Sequence, residues 1–462
     1  MQKIATISAR QPRIYTEGWQ SWSPAGWWTP GQAQLPLTQP PKDDNEQAMR
    51  RRLGRPVADG VLRGEGLVLV DPQDGSPVRA YAATDPEGEI PSIDVRVTDG
   101  QVEVAADGPI EIYQVDGIIE AFEAFATAWA AKAGHIRPTK PAPRVWCSWY
   151  QYFEQVTAAD IIENVAAIAE LELPVDVILL DDGWLQLTGE YLAAKPEFGS
   201  VTDAIKAIKA SGRQVGVWLA PFAVGAESTL AQQHPEWLVS QAGVPVAAGF
   251  NWGQTLVGLD LTHPGVQAFL TEALQRIREL GVSYVKADFL YAGAVPGDRY
   301  DRQVSGTQAY RAGLKLMREV LGPDIYLVGC GAPLLPSVGL VDAMRVSPDT
   351  FHEGAEDGSA GLRGQAPLEA RAWQHGRLWT NDPDCAVLRP EFALRKQWLD
   401  VVLRAGGLRS FSDRVAALDH WGQASARRLL KAPTPIGPLS DAVLTELITK
   451  YTKQTETKTK EV

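Results

Sequence analysis

The feature of this sequence that most constrains its fold is an alternation of short apolar runs with amphipathic segments through its larger, second part. The runs are five or six residues long and show no polar alternation, which is typical of strands buried on both faces. Segments of helical periodicity lie between many of them; one places Ile161, Val165 and Ile168 on a single stripe. The eight runs lie at 145–149, 176–181, 214–219, 283–288, 325–330, 342–347, 377–381 and 407–411.

Eight such strands with interleaved helices over about 270 residues predict an α/β protein of the (β/α)8 TIM-barrel type. A doubly wound open sheet is the alternative. That fold would place a glycine-rich phosphate-binding loop after its first strand, but aromatic residues follow the first run here. We therefore expect the barrel.

The first part of the chain has a different pattern. Polar and apolar residues alternate in 92–98 and 101–105, which indicates strands with one solvated face. Three prolines in 137–143 cannot continue a helix or join a central strand, so they mark a boundary. The end of the chain has few apolar side chains. We predict a β-sandwich-like domain with a linking helix at 1–136, a linker at 137–143, the catalytic barrel at 144–430, and an extension at 431–462 that is disordered from 450.

Charge and cysteine content limit the partners and the compartment. The net charge of −12 offers no basic face for nucleic acid or for anionic lipid. The three cysteines are odd in number and widely spaced, which argues against a disulfide framework. The N-terminus lacks the apolar run of a signal peptide, and no stretch of 18 apolar residues occurs. We expect a cytoplasmic protein without nucleic-acid or membrane partners.

The 15 tryptophans exceed ordinary usage. Aromatic rings stack on the flat C–H faces of sugars, but they also fill large cores. Both interpretations stay open at this point.

Polar residues follow several predicted strands at their C-terminal ends, where barrels carry their active sites. Histidine clusters and Ser–His or Cys–His pairs are lacking, which disfavours a metal site and acyl transfer. Several carboxylates beside cations and aromatic rings instead indicate glycosidic bond cleavage, for which we expect neither metal nor cofactor. The carboxylates are Asp181 and Asp182 after the second strand, Asp288 after the fourth, Asp349 beyond the sixth, and Asp382 and Asp384 after the seventh.

Asp288 ends an otherwise apolar run, where an idle charge would be costly. Lys286 lies two residues earlier and points to the same side of the strand, so its charge would keep Asp288 ionised. A structural ion pair would give the same pattern. The neighbouring Asp181 and Asp182 can both reach one ligand only if the chain turns, which Gly183 permits; a metal site or a loop cap is the alternative.

Seven segments resemble, in order, the motifs of the α-galactosidases of glycoside hydrolase family 36. A stretch at 18–24, GWQSWSP, is similar to part of that family's N-terminal β-sandwich domain. The seven are WCSWY at 146–150, LDDGW at 180–184, GVWLAPF at 216–222, KADFLYAGAVPG at 286–297, GCG at 329–331, MRVSPDT at 344–350 and WTNDPDC at 379–385.

The resemblance implies a retaining α-galactosidase in which Asp288 is the nucleophile and Asp349 the general acid/base. It also implies a set of sugar-binding residues. Asp181 and Asp182 would bind the 4- and 6-hydroxyls, Lys286 and Arg345 would hold other hydroxyls, and Trp218, Tyr150, Cys330 and Trp22 would line the subsite.

The substrates implied are terminal α-galactosides such as melibiose or raffinose. Galactosyl transfer, α-N-acetylgalactosaminidase activity and a non-catalytic sugar-binding role are the alternatives, and the sequence leaves the oligomeric state open. Arg345 would keep Asp349 ionised if it were close, so we expect Arg345 to face the sugar or Asp288. Only about 40 residues follow the barrel, so the family's C-terminal β domain is expected to be absent.

Overall fold

The computed structural model describes residues 1–30, 51–134, 140–186, 193–352 and 354–458, with side chains to residue 449. The predicted linker, 137–143, therefore lies partly outside the described residues, and the domain boundaries stay a prediction. None of the helices in these ranges is long and apolar enough to cross a membrane.

Nine strands and one helix make up the N-terminal part of the described chain. The strands form two antiparallel sheets. The elements are β1 (Gln2–Ser8), β2 (Arg13–Thr16), β3 (Gly26–Trp28), β4 (Leu62–Glu65), β5 (Leu67–Asp71), β6 (Val78–Ala83), β7 (Ser92–Thr98), β8 (Gln101–Ala106), β9 (Ile110–Val115) and α1 (Ile118–Lys132). One sheet has the order β1-β8-β7-β4 and the other the order β3-β2-β5-β6-β9.

The second of these sheets is covered on both faces. Val68 and Val70 of β5 pack into the core shared with the four-stranded sheet. Leu67 and Leu69, which point the other way, belong to the large core that contains α1 and the barrel. Two buried faces explain why this strand reads as a continuous apolar run rather than an alternating one.

The predicted barrel is confirmed. Its strands pair in parallel in the order β21-β20-β19-β18-β12-β11-β10-β22, and a bridge between Ala386 and Phe411 brings the two ends together. Each predicted apolar run contains one strand, or most of it, because the strands are buried on both faces. The bounds are β10 (Arg144–Cys147), β11 (Val177–Leu180), β12 (Gln214–Leu219), β18 (Tyr284–Ala287), β19 (Tyr326–Gly329), β20 (Ala343–Arg345), β21 (Thr380–Asp382) and β22 (Arg409–Phe411).

Helices surround the barrel, and their ends follow the capping residues. The helix at 158–170 begins after Thr157, whose side chain forms a capping box with Asp160. The helix at 306–321 ends at Gly322, which has a positive φ. The α-helices from the barrel onward are α2 (Trp149–Tyr152), α3 (Ala158–Glu170), α4 (Val201–Ala210), α5 (Thr229–Gln233), α6 (Pro264–Glu279), α7 (Gly306–Leu321), α8 (Leu334–Ser337), α9 (Gln365–Ala370), α10 (Arg395–Ala405), α11 (His420–Lys431) and α12 (Asp441–Lys458).

The chain between β12 and β18 holds small antiparallel sheets that the sequence did not predict. One pairs β16 with β17 as a hairpin, and β13 extends it. The strands are β13 (Ala223–Gly225), β14 (Ser240–Gln241), β15 (Val244–Pro245), β16 (Ala247–Asn251) and β17 (Gln254–Gly258).

The chain after β22 is helical. Among the described residues 412–458 no strand occurs. The backbone of α12 continues as helix to residue 458, through part of the segment for which the sequence predicts disorder. Residues 459–462 lie outside the described ranges.

A buried ion pair joins the N-terminal sheets to the barrel. Arg371 donates from Nε to Glu17 Oε1 at 2.7 Å, and both side chains are fully buried. Its other nitrogens donate to the carbonyls of Ser21, Ser23 and Val346, each at 2.9 Å. Arg371 therefore fixes the loop that carries Trp22 against the strand end that carries Arg345.

Replacing Arg371 with methionine should cost about 3–5 kcal/mol of stability, because Glu17 would keep a buried charge without its cation. Thermal unfolding should show a clear fall in Tm. Lys206→Met, which removes a cation from an exposed ion pair, is the control and should leave Tm nearly unchanged. The double variant Glu17→Gln/Arg371→Met should recover part of the loss; a Tm equal to wild type in Arg371→Met contradicts the assignment.

Candidate active site

The sequence-predicted residues converge at the C-terminal end of the barrel. Asp181, Asp288 and Arg345 directly follow or end β11, β18 and β20, and Asp349 lies four residues beyond Arg345. Parallel strands carry their C-terminal ends to one side of a barrel, so these side chains share one face of the molecule.

Asp288 is buried and held at both oxygens. Its Oδ2 accepts a hydrogen bond from Trp218 Nε1 at 3.1 Å, and its Oδ1 accepts one from the Phe289 amide at 2.8 Å. Burial raises the pKa of Asp288, while Lys286, Cys330 and these two donors act to lower it. The carboxylate thus has a fixed orientation in an apolar surrounding.

Lys286 donates its hydrogen bonds to Asp181 and not to Asp288, the partner expected from the sequence. Its Nζ donates to both oxygens of Asp181, at 2.8 and 3.2 Å, and lies 3.9 Å from Asp288 Oδ2. The expected proximity to Asp288 is therefore found, but Asp181 takes the hydrogen bonds. Burial acts to lower the pKa of the Lys286 ammonium, yet Asp181 and Asp288 together hold it well above its ordinary value.

The chain turns between Asp181 and Asp182, as the glycine beside them suggested. Gly183 has φ +111°, and a Cβ there would lie about 3 Å from the Glu154 backbone, so only glycine fits. Asp181 accepts a hydrogen bond from Cys147 Sγ at 3.2 Å. Burial raises the pKa of Asp182 to about 7, so near neutral pH its carboxyl can donate or accept a hydrogen bond.

Trp252 is a site residue that the sequence analysis missed. It lies in the turn of the β16–β17 hairpin with φ +50°, followed by Gly253 at φ +72°. Its Nε1 donates to Asp182 Oδ2 at 2.7 Å, and its ring packs against Trp218 with centroids 6.0 Å apart. A Trp-Gly turn between short strands was the available signal, but nothing in it indicated which carboxylate the indole would reach.

Trp22 reaches the same region from the N-terminal part of the chain, as the resemblance implied. Its ring meets Phe289 edge-on with centroids 5.2 Å apart. A Cβ on Gly331, which has φ +50°, would lie 3.0 Å from the Trp22 ring. Within the described part of the chain, the buried Trp22 Nε1 has no hydrogen-bond partner, which leaves one donor for a ligand hydroxyl.

The expectation that Arg345 turns away from Asp349 is wrong. Arg345 donates from Nη2 to Asp349 Oδ1 at 2.8 Å. The same nitrogen lies 2.5 Å from Oδ2 of Asp384, a carboxylate that ends the seventh strand region. Asp384 is thus a second anion on the Arg345 guanidinium. It lies in another segment of the chain, so the spacing between Arg345 and Asp349 could not reveal it.

The exposure of these groups differs. The side chains of Arg345 and Asp384 are 2% and 3% exposed, whereas that of Asp349 is 42% exposed. Arg345 Nε is buried and, among the described residues, unpartnered. Asp349 therefore forms the open end of the cluster.

Asp384 collects several donors. It accepts hydrogen bonds from the hydroxyl of Tyr150, from Thr350 N and Oγ1 at 2.8 Å each, and from the Cys385 amide at 2.7 Å. Its backbone has φ +86°, an uncommon conformation for a residue with a side chain. Tyr150 is thus bound through its hydroxyl to this carboxylate.

Cys330 lies between the two halves of the site. Its buried thiol hydrogen-bonds Asp288, and burial together with that carboxylate raises its pKa well above the ordinary value; Arg345 and Lys286 act in the opposite direction. The Cys330 side chain thus lies near both Asp288 and Arg345. All ten predicted site residues belong to this one connected set. In the described ranges, no cluster of three or more His, Cys, Asp or Glu side chains is arranged for a metal ion.

Comparisons with known proteins are consistent with this geometry. The Melibiase family model matches residues 126–321. The α-galactosidase AgaA of Geobacillus stearothermophilus is 27% identical over 187 residues, 37% of this chain and 25% of that protein. Alpha-galactosidase 2 of Hypocrea jecorina is 28% identical over 186 residues, 35% of this chain and 23% of that one. The matched region thus spans about a quarter of the length of these curated relatives.

A solved structure resembles nearly the whole chain. TtGalA, an α-galactosidase from Thermus thermophilus solved with p-nitrophenyl α-D-galactopyranoside, superposes with a TM-score of 0.76 at 26% identity, covering 92% of this chain and 87% of that one. The same protein was also solved with stachyose.

The barrel, with its carboxylate-rich mouth at the C-terminal strand ends, has the architecture of the (β/α)8 class of enzymes. Within that class, the chain is similar to α-galactosidases: a Melibiase model matches part of it, and the Thermus thermophilus structure resembles nearly all of it.

Proposed function

We propose that this protein is a retaining α-galactosidase that removes terminal α-linked galactose from oligosaccharides of the melibiose and raffinose type. The observation that carries the proposal is that the two carboxylates belong to one connected set. Asp288 contacts the Cys330 thiol, and Asp349 contacts Arg345, which lies near that thiol. The α-galactosides bound to the Thermus thermophilus relative support the substrate class.

Asp288 is proposed as the nucleophile. Its oxygen would form a bond to the anomeric carbon while the glycosidic C–O bond breaks, which gives a covalent galactosyl-enzyme. The Trp218 and Phe289 donors hold the carboxylate in one orientation before the reaction. Such fixation supports the role, because no rotamer search then precedes attack.

Asp349 is proposed as the general acid/base. It would protonate the departing oxygen, and then take a proton from the water that attacks the anomeric carbon in the second step. The leaving group departs to solvent, and that water arrives from it. The 42% exposed side chain of Asp349 supports this role, because it is the most open carboxylate of its cluster.

Recognition of galactose is proposed to rest on Asp181 and Asp182. Lys286 and Trp252 hold these carboxylates on either side of the Gly183 turn. Carboxyl oxygens accept hydrogen bonds from neighbouring hydroxyls. Trp22 Nε1 and Arg345 Nε, which lack a partner among the described residues, would donate hydrogen bonds to hydroxyl oxygens.

We also propose that the protein acts in the cytoplasm. Its three cysteines are buried free thiols, as in reducing compartments.

The test is a panel of p-nitrophenyl α-glycosides with galactose, glucose and N-acetylgalactosamine. We expect nitrophenol release mainly from the galactoside, and proton NMR should show α-galactose as the first product, since double displacement retains configuration. No release from the galactoside, or β-galactose formed first, contradicts the proposal. Preferential release from the N-acetylgalactosaminide would assign the alternative substrate.

A further inference from the structure

The cation beside Asp349 is divided between two carboxylates. Arg345 Nη2 lies 2.8 Å from Asp349 and 2.5 Å from Asp384. Charges attract more strongly where solvent is excluded, and Asp384 is buried whereas Asp349 is partly exposed. Most of the guanidinium charge is therefore compensated by Asp384.

Asp384 also controls the backbone next to Asp349. Thr350, the following residue, donates to Asp384 through both its amide and its hydroxyl, each at 2.8 Å. The same amide donates to the hydroxyl of Tyr150 at 3.0 Å. Two attachments on the adjacent residue restrict where the Asp349 carboxyl can point.

The conformation of Asp384 is itself unusual. Its φ of +86° is unfavourable for a residue with a side chain, and such strain concentrates at functional sites. The strain is held by two local hydrogen bonds, from the Asp384 amide to Asp382 and from the Cys385 amide to Asp384.

We propose that Asp384 is a positioning residue for the acid/base step: it takes the larger share of the Arg345 charge and anchors Thr350, so that the Asp349 carboxyl stays available to the leaving group. This inference rests on the proposed function. It assigns Asp384 no contact with the sugar.

The charged and titratable groups around this cluster are few. Arg345, Asp349, Tyr150 and Asp382 face Asp384, and the Cys330 thiol faces Arg345. Burial raises the pKa of Asp384 to about 6, against the pull of Arg345. The contact with Arg345 and the donors of Thr350 and Cys385 favour the ionised form of Asp384, which competes for the guanidinium.

The experiment is Asp384→Asn, which removes the charge but keeps a side chain that tolerates positive φ. With the Asp384 charge removed, Arg345 pairs with Asp349 alone, and an undivided ion pair favours a carboxylate over a carboxylic acid. We expect the alkaline limb of kcat/KM to move down by about one pH unit, so that activity above the limb falls about tenfold. Raffinose should lose more than dinitrophenyl α-galactoside, whose leaving group needs little protonation.

Asp413→Asn is the matched control. Asp413 is also fully buried and accepts hydrogen bonds from the Leu388 and Arg389 amides and from the Arg389 side chain; in the described part of the chain, no hydrogen bond of its side chain goes to Arg345, Asp349 or Asp384. This variant should lose stability without moving the alkaline limb. If Asp384→Asn does not fold, Thr350→Val removes one donor to Asp384 and should shift the limb in the same direction by less.

A limb that coincides with wild type, with equal losses on both substrates, overturns the inference. Turnover by the wild type distinguishes a failure of this inference from a failure of the proposed function. If the wild type hydrolyses the galactoside while the variant limb is unmoved, only the role of Asp384 fails; if the wild type releases nothing, the proposed function itself fails.

Discussion

Asp288→Ala should reduce kcat/KM for p-nitrophenyl α-galactoside by on the order of 10³-fold or more, because it removes the carboxylate proposed to form the covalent intermediate. Trp218 and the Phe289 amide, which hold the two oxygens of Asp288, would remain in place. Initial rates measured over a range of substrate concentrations test this expectation.

Azide should restore part of the lost activity in this variant. The missing carboxylate leaves space for a small anion beside the two donors, and azide nitrogen would bond to the anomeric carbon as nitrophenolate leaves. A single displacement gives the β-galactosyl azide. An α-azide, or hydrolysis as fast as in the wild type, would show that Asp288 is not the nucleophile.

Asp324→Ala is the matched control for this variant. Asp324 is exposed and lies just before β19, at the opposite end of the barrel from the site. Surface substitutions of this kind usually change stability by no more than about 0.5 kcal/mol. Its kcat/KM should therefore stay close to that of the wild type.

The barrel could be predicted from the sequence because its strands are buried on both faces. Val177–Leu180 and Tyr326–Gly329, for example, are buried at every position, so each reads as an uninterrupted apolar run. The β16–β17 hairpin escaped prediction because its strands are short, contain glycine and lack a regular alternation. Trp252 was missed together with it.

The described tryptophans divide between the core and the candidate site. Trp146, Trp379 and Trp398 are fully buried in the core. Trp22 and Trp218 contact residues of the candidate site instead. Composition alone cannot separate these groups, because an indole satisfies packing and stacking with the same ring.

The positions of the carboxylates could be predicted, but their partners could not. Strand ends identify which residues reach the mouth of a barrel. The carboxylate that each cation contacts depends on residues from other strands. Lys286 contacts Asp181, and Arg345 contacts Asp349 and Asp384. Asp384 stood at a predicted strand end, yet no local pattern indicated that it would share Arg345.

Asp349→Ala should lower the hydrolysis of raffinose by on the order of 10³-fold while slowing dinitrophenyl α-galactoside far less. A sugar alkoxide is a poor leaving group and needs the proton that Asp349 would supply, whereas dinitrophenolate departs without one. The ratio of the two kcat/KM values, compared between variant and wild type, measures the effect. Asp357→Ala, an exposed carboxylate on the same segment, is the control and should leave the ratio unchanged.

Azide distinguishes this variant from the nucleophile variant by stereochemistry. With Asp288 intact, the galactosyl-enzyme still forms from the activated substrate, and azide then attacks it without needing a general base. Two displacements give the α-galactosyl azide, opposite to the product expected from Asp288→Ala. Equal losses on both substrates, or a β-azide from Asp349→Ala, would mean that Asp349 acts at some point other than proton transfer to the leaving group.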